Sequence, residues 1–247
     1  MDQQKDINKK MRSILVDWLV EVHHRFKLQP LTLWLCINIL DRYLMKMPTH
    51  RQKLQLVGVS ALLISCKYEE IYPPEVSDCI YITDNAYERD ELLKMESQIL
   101  IALDYQIFVP TGYHFLSRYL NCISASDRLR HLASYYAERN LQEFDMLSVK
   151  PHRFAAAALY AALRQEKDPS SSCWCLALQQ ESGLTEYELY PCAQQLIKHV
   201  QEEPETASKR RLVACKKKFC SEKFMKVAEL SLPDLSSFAL VVASTGK

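Results

Sequence analysis

The sequence predicts an all-α protein built as two tandem five-helix repeats, residues 1–109 and 110–247. Three observations carry this. Apolar residues recur at helical spacing through most of the chain. Glycine is scarce, with only four in 247 residues, and tight hairpins and phosphate-cradling loops consume glycine. The halves also share a pattern: "DRYL" (41–44) and "VGVSALL" (57–63) lie over "ERNL" (138–141) and "FAAAALY" (154–160) with one constant offset and no gap.

In the first repeat, periodicity places helices at about 11–26, 31–46, 52–68, 74–81 and 88–103. Pro30 and Pro48 punctuate them. Pro73-Pro74 stops the third and suits the first turn of the fourth. Leu92, Met95, Ile99 and Leu103 form one stripe on the fifth, and the pattern breaks at Pro110. The second repeat is read as helices at about 112–122, 127–143, 152–165, 174–182 and 186–201, with Thr185 and Glu188 as a capping box before the last. A further basic helix is expected within 208–227, followed by an irregular tail at 230–237. Gly58, Ser60, Ala61 and Ala155 to Ala158 are small enough to let helices approach closely, which suits a central helix ringed by others.

The composition is that of a globular protein, 48% apolar and 25% charged. A formal net charge of +1 gives no global field toward nucleic acid or a membrane surface. Nine cysteines without a C-x-x-C, several inside apolar helical runs, fit reduced thiols of the cytosol or nucleus. No secretory signal heads the chain and no long apolar run can span a bilayer. The first helix starts close to Met1, as in a trimmed core whose longer N-terminal tail lies outside the sequence.

Catalytic motifs are missing: no G-x-S-x-G, H-E-x-x-H, P-loop or dinucleotide turn occurs. His23 and His24 are adjacent and diverge on a helix. Cys173, Cys175 and Cys192, or Cys215 with Cys220, do not match zinc spacings. No metal and no cofactor is expected. The basic stretch "KRRLVACKKKF" (209–219) reads as a solvated face, a nuclear-import patch or a nucleic-acid contact, the first being the simplest.

Two charged constellations stand out. In "ALLISCKYEEIYPPEV" (61–76), Lys67 closes an apolar run, and Glu96 sits in the apolar "LKMESQIL". Each has an ordinary reading, a dipole-complementing lysine and a solvated glutamate. Together they also suit the charged centre of a protein-binding surface. Arg12 lies on the Val16/Leu19 side of the first helix, and Asp41 follows "CINIL" on the second. A buried charge needs a partner, so Arg12 and Asp41 are expected to form a structural ion pair.

The stretch "MRSILVDWLVEV" (11–22) has more apolar surface than one interface needs. Met11, Ile14, Leu15 and Trp18 make one stripe; Val16, Leu19 and Val20 make another.

The blocks "MRSILVDWLVEVHHRFKL", "DRYL", "KLQLVG", "SCKYEEIYPPEV" and "MESQIL", in order over about residues 10–110, together resemble the cyclin box of an A- or B-type mitotic cyclin. "EIYPPEV" and "YITD" suit both types, while "EVHHRFKL" and the "SLPDL" near the end lean toward B. The resemblance implies two cyclin folds and a non-catalytic regulator that activates a cyclin-dependent kinase at G2/M, in nucleus and cytoplasm. It implies kinase contact through Lys67, Glu96, Ile64, Tyr68, Leu100, Tyr105 and Ile107. Tyr68 and Tyr105 stand where many relatives carry phenylalanine. It also implies a docking patch for Arg-x-Leu segments of substrates and inhibitors, formed by Met11, Ile14, Leu15, Trp18, Glu21, Leu54 and Gln55, with Glu21 facing the incoming arginine. Nucleic acid and membrane are not expected partners. The double five-helix fold also occurs in transcription-initiation factors and pocket proteins, so fold alone leaves a DNA-binding reading open. A metal or thiol enzyme is the third reading.

Overall fold

The computed structural model describes residues 4–166, 173–202 and 212–232. Among these, every regular element is helical, and the chain divides into two compact units, Met1–Thr111 and Gly112–Lys247.

The first unit holds α1 (Lys9–Arg25), α2 (Pro30–Lys46), α3 (Leu54–Glu69), α4 (Val76–Tyr81) and α5 (Arg89–Ala102). Local chemistry sets the starts. Asn8 accepts the amide of Met11 to cap α1, and Pro30 opens α2, where its missing N–H is no loss. The fourth helix begins at Val76, not at the prolines. Asp78 accepts the amide of Glu75 at 2.9 Å, and this reciprocal cap starts the helix two residues later than the proline signal suggests. Glu91 takes the amide of Glu88 in the same way ahead of α5.

α3 is the centre. Every residue from Leu56 to Cys66 is buried, and α1, α2 and α5 all pack on it. A helix apolar on all sides belongs inside. Gly58 permits one of these contacts, since a Cβ there would meet Cδ1 of Leu15 at 2.8 Å.

The second unit repeats the scheme with α6 (Gly112–Cys122), α7 (Asp127–Asn140), α8 (Pro151–Glu166), α9 (Leu176–Ser182) and α10 (Glu186–Gln201). α8 takes the central place; Phe154 to Arg164 are buried beneath α6, α7 and α10. α7 stops at Asn140, before the expected 143: the next amides bond three residues back, Leu141 to Glu138 and Glu143 to Asn140, while the Asn140 side-chain Nδ2 donates to the carbonyls of Tyr136 and Leu196. α9 starts at Leu176; Trp174 is instead buried ahead of it, donating to the carbonyl of Leu184 at 2.9 Å.

The basic segment is helical only in pieces: α11 (Ala214–Phe219) and two 3-10 turns, Glu222–Phe224 and Val227–Glu229. Residues 208–211 and most of the 230–237 tail, including "SLPDL" beyond 232, lie outside the described residues.

Candidate protein-binding surfaces

The end of α3 and the outer side of α5 converge on one ion pair. Lys67 Nζ lies 2.6 Å from Glu96 Oε1. Met95 and Ile99 beside Glu96 are buried and anchor α5 to α3, leaving the Glu96 side chain 12% exposed and that of Lys67 47% exposed. A pair this open contributes little to stability.

The surroundings are apolar and open. Tyr68 and Tyr105 are exposed, Leu100 is half-buried, and Ile64 and Ile107 are buried. Ile64 and Ile107 therefore underlie the surface rather than present it. A cleft of about 540 Å³ beside Lys67 is lined by Leu63, Pro73, Pro74, Val76 and Arg89, among others. Sequence reasoning missed Ile71 and Tyr72, which are 87% and 91% exposed on the loop after α3. Their signal was available: two large apolar residues between an acidic pair and a proline pair cannot all be buried in so short a turn.

Glu70 fixes where this surface begins. From the C-cap of α3 its carboxylate accepts the amide of Gln29 at 2.7 Å and the hydroxyl of Thr32 at 2.5 Å. It thus caps the start of α2 and ties it to the end of α3 that carries Lys67.

Arg12 is fully buried and forks onto Asp41, Nε to Oδ1 at 2.6 Å and Nη2 to Oδ2 at 2.7 Å. Two parallel charge-assisted bonds pin α1 to α2.

On α1, the two stripes divide differently from the expected split. Val16, Leu19 and Val20 are in the core, but so is Leu15, at 5% exposure, packed on Gly58. Ile14 is exposed, Met11 and Trp18 are half-buried, and Glu21 is exposed. Leu54, also buried, and half-buried Gln55 sit one turn before Gly58 on α3. Leu15 and Leu54 belong to the packing beneath the stripe; Met11, Ile14 and Trp18 remain reachable from outside. The Met11/Ile14/Leu15/Trp18 stripe thus serves two purposes, closing α1 onto α3 through Leu15 and leaving an apolar strip beside an acidic residue.

Six of the nine cysteines are buried. Burial pushes the Cys79 thiol up to about 12, and the buried Cys36 and Cys66 thiols are raised for the same reason. His23 is buried with Nε2 bonded to the carbonyl of Gln29. Among the described residues no group of three His, Cys, Asp or Glu side chains is placed to hold a metal ion. No helix there is long and apolar enough to cross a membrane.

Comparison with known proteins agrees with this architecture. Residues 1–108 match the family described as cyclin, N-terminal domain, and residues 110–233 match cyclin, C-terminal domain. Cyclin-B1-1 of Oryza sativa subsp. japonica is 44% identical over 234 residues, 92% of this chain and 51% of that protein. The G2/mitotic-specific cyclin-B of Patella vulgata is 42% identical over 236 residues, 96% of this chain and 56% of that protein. The chain spans about half the length of these curated relatives. The viral cyclin of herpesvirus saimiri shares the fold with a TM-score of 0.72 at 23% identity, covering 81% of this chain and 89% of that one. A chain of the yeast RNA Pol II CTD kinase CTDK-1 complex does so at 0.67 and 15%, covering 97% of this chain and 76% of that one. With both halves matched in order, and each folded around its own buried central helix, the chain belongs to the cyclin family.

Proposed function

We propose that this chain is the non-catalytic regulatory subunit of a cyclin-dependent Ser/Thr protein kinase, acting in cell-cycle progression at G2/M. The observation that carries the reading is the Lys67–Glu96 pair at 2.6 Å, which joins the end of α3, where Tyr68, Ile71 and Tyr72 are exposed, to α5, after which Tyr105 is exposed. A charged pair amid exposed apolar side chains suits the centre of a protein interface: the pair gives register and the aromatic residues give area. The mitotic cyclins among its relatives support the same reading.

In this mechanism the rigid α3–α5 surface binds one kinase conformation better than the other and shifts its population. The favoured conformation holds the kinase helix that bears the active-site glutamate inward, so that the kinase's lysine–glutamate pair forms. This chain supplies no reacting group and no cofactor. The Met11/Ile14/Trp18 strip with Glu21 recruits Arg-x-Leu segments of substrates and inhibitors. Neither nucleic acid nor membrane is a partner, and the protein acts in nucleus and cytoplasm.

The test is kinase activation. The chain is mixed with cyclin-dependent kinases and substrate phosphorylation is measured, with Lys67→Ala/Glu96→Ala as the control. Activation that is lost in the folded double variant supports the reading. A folded chain that activates no such kinase overturns it, and a salt-dependent DNA titration then tests the transcription-factor alternative.

A further inference from the structure

The turn that ends α5 is held in a backbone form that its own residues resist. Asp104 and Tyr105 have φ values of 53° and 57°, in the left-handed region. Asp tolerates this region better than most residues with a Cβ, but a bulky tyrosine is an outlier there. Two such residues in succession, with no glycine, need support from elsewhere.

Part of it is the turn's own backbone. The amide of Asp104 donates to Ile101, that of Tyr105 to Leu100 and that of Gln106 to Leu103, all within 3.0 Å. The rest comes from two cations one turn apart on α2. Lys46 Nζ donates to the carbonyl of Ala102 at 2.8 Å and reaches Asp104 Oδ2 at 3.2 Å. Arg42 Nη2 donates to the carbonyl of Gln106 at 2.7 Å. The two contacts bracket the strained pair, one on each side. Ala102 ends α5, so its carbonyl lacks a helical partner and attracts a cation.

The turn's product is the placement of Tyr105. Its amide is bonded to Leu100, one turn beyond Glu96, so it continues the line Glu96, Leu100, Tyr105. Ile107, two residues on, is buried, yet Tyr105 is 68% exposed. A ring that gains so little burial inside the chain does not hold the turn in its strained form. Strain that persists beside an exposed aromatic points to a use for that aromatic.

We infer that Arg42 and Lys46 are positioning residues for the partner-facing surface: they clamp the 102–106 turn and so hold the Tyr105 ring ready for the partner. The inference rests on the kinase-contact reading of α3 and α5. It assigns the two cations a role without contact with the partner. Their effect is to set the turn before binding, so that less ordering remains to be done on association.

The test uses the full chain and the kinase that it activates. The variants are Arg42→Ala/Lys46→Ala, Tyr105→Ala, all three together, and the conservative Arg42→Lys/Lys46→Arg. Two quantities are read: the concentration for half-maximal kinase activation, and amide hydrogen exchange of residues 103–107. Loss of the clamp is expected to raise the half-activating concentration about tenfold with the maximal rate unchanged. The same loss in the Tyr105→Ala background should add less than about threefold, because the clamp acts through that ring. Exchange should quicken at the Tyr105 and Gln106 amides and stay slow through α3. The conservative variant should recover most of both effects.

An unchanged half-activating concentration overturns the inference. So does full additivity with Tyr105→Ala, or faster exchange across the whole unit, which would make the cations ordinary fold stabilisers. If the unaltered chain activates no kinase, the functional reading falls by itself. The exchange measurement still decides the clamp, since unchanged exchange at the turn removes it.

Discussion

Glu138 and Lys218 form a buried ion pair: Nζ lies 2.5 Å from Oε2, and each side chain is 4% exposed. Under the constant offset that relates the repeats, Glu138 is the counterpart of Asp41, which holds the buried Arg12. Both units therefore satisfy a buried cation with an acid at the same place in the repeat. The cation comes from opposite ends of the unit, from α1 before it in the first and α11 after it in the second. Lys218 also lies 5.2 Å and 5.6 Å from the ring centroids of Phe219 and Phe224. Removing one member of such a pair leaves a buried charge and costs about 3–5 kcal/mol. Lys218→Met is expected to lower unfolding stability by about 3 kcal/mol at neutral pH. Adding Glu138→Gln should recover half or more of that. Urea unfolding followed by circular dichroism reads both. An equal loss in the single and double variants would assign the effect to packing of the lysine stem.

Gly58 and Leu15 set how closely α1 approaches α3. In a helix interior, glycine to alanine ordinarily gains about 1 kcal/mol. Here the added Cβ would stand 2.8 Å from Cδ1 and 3.3 Å from Cγ of Leu15. Overpacking costs about 1–3 kcal/mol, so Gly58→Ala is expected to be net destabilising by about 1 kcal/mol. Leu15→Ala costs more, about 2–5 kcal/mol, but it clears the space. In that background Gly58→Ala should turn stabilising. A Gly58→Ala effect of the same sign in both backgrounds would show that Leu15 is not the obstacle.

The second unit carries a source of acid lability. His199 Nδ1 is 2.8 Å from Asn140 Oδ1, and Arg139 donates to the His199 carbonyl. Burial holds the His199 imidazole below its ordinary value, opposed by Glu143 and assisted by Arg139. His131, edge-on to Phe224, is lowered by burial too, against Asp127. A histidine lowered in the folded state binds its proton more readily when unfolded. Its contribution is complete above the unfolded value near 6.5 and is lost as pH falls below that. The urea midpoint is therefore expected to drop between pH 7 and pH 5.5. His199→Gln, which keeps a donor toward Asn140, should flatten that drop. A slope unchanged in this variant would exclude His199 as its source.

The helical scheme was legible because the information is local: spacing, prolines and the Thr185/Glu188 box act within a few residues. The Arg12–Asp41 and Lys67–Glu96 juxtapositions were legible for another reason, since a charge embedded in an apolar run needs an answer. What was not legible depends on distance in sequence. Lys218 reads as one lysine in a basic run, and only the packing of α11 on α7 makes it a buried partner of Glu138. Leu15 reads as part of an outward stripe until Gly58 on another helix brings it inside. The clamp of the 102–106 turn joins residues some 60 positions apart, and Asp104 suits the left-handed form but nothing about a tyrosine at 105 announces it.

The two proposed surfaces should separate by mutation, because they use different ends of α3. Leu54 and Gln55 stand at its start, Lys67 and Tyr68 at its end. Met11→Ala with Trp18→Ala removes half-buried groups of the docking strip while leaving Leu15 in place beneath. Binding of an Arg-x-Leu peptide should weaken about tenfold or more, as expected when interface anchors are truncated. Activation of the kinase toward a substrate lacking Arg-x-Leu should be unchanged. Glu21→Gln should weaken peptide binding chiefly at low salt, since an exposed carboxylate meeting arginine is screened as ionic strength rises. Leu15→Ala is the contrasting case. Leu15 is 5% exposed and closes α1 onto α3, so its loss should lower stability and impair both activities together. If Met11→Ala/Trp18→Ala behaves like Leu15→Ala, the strip is part of the core and not a docking site.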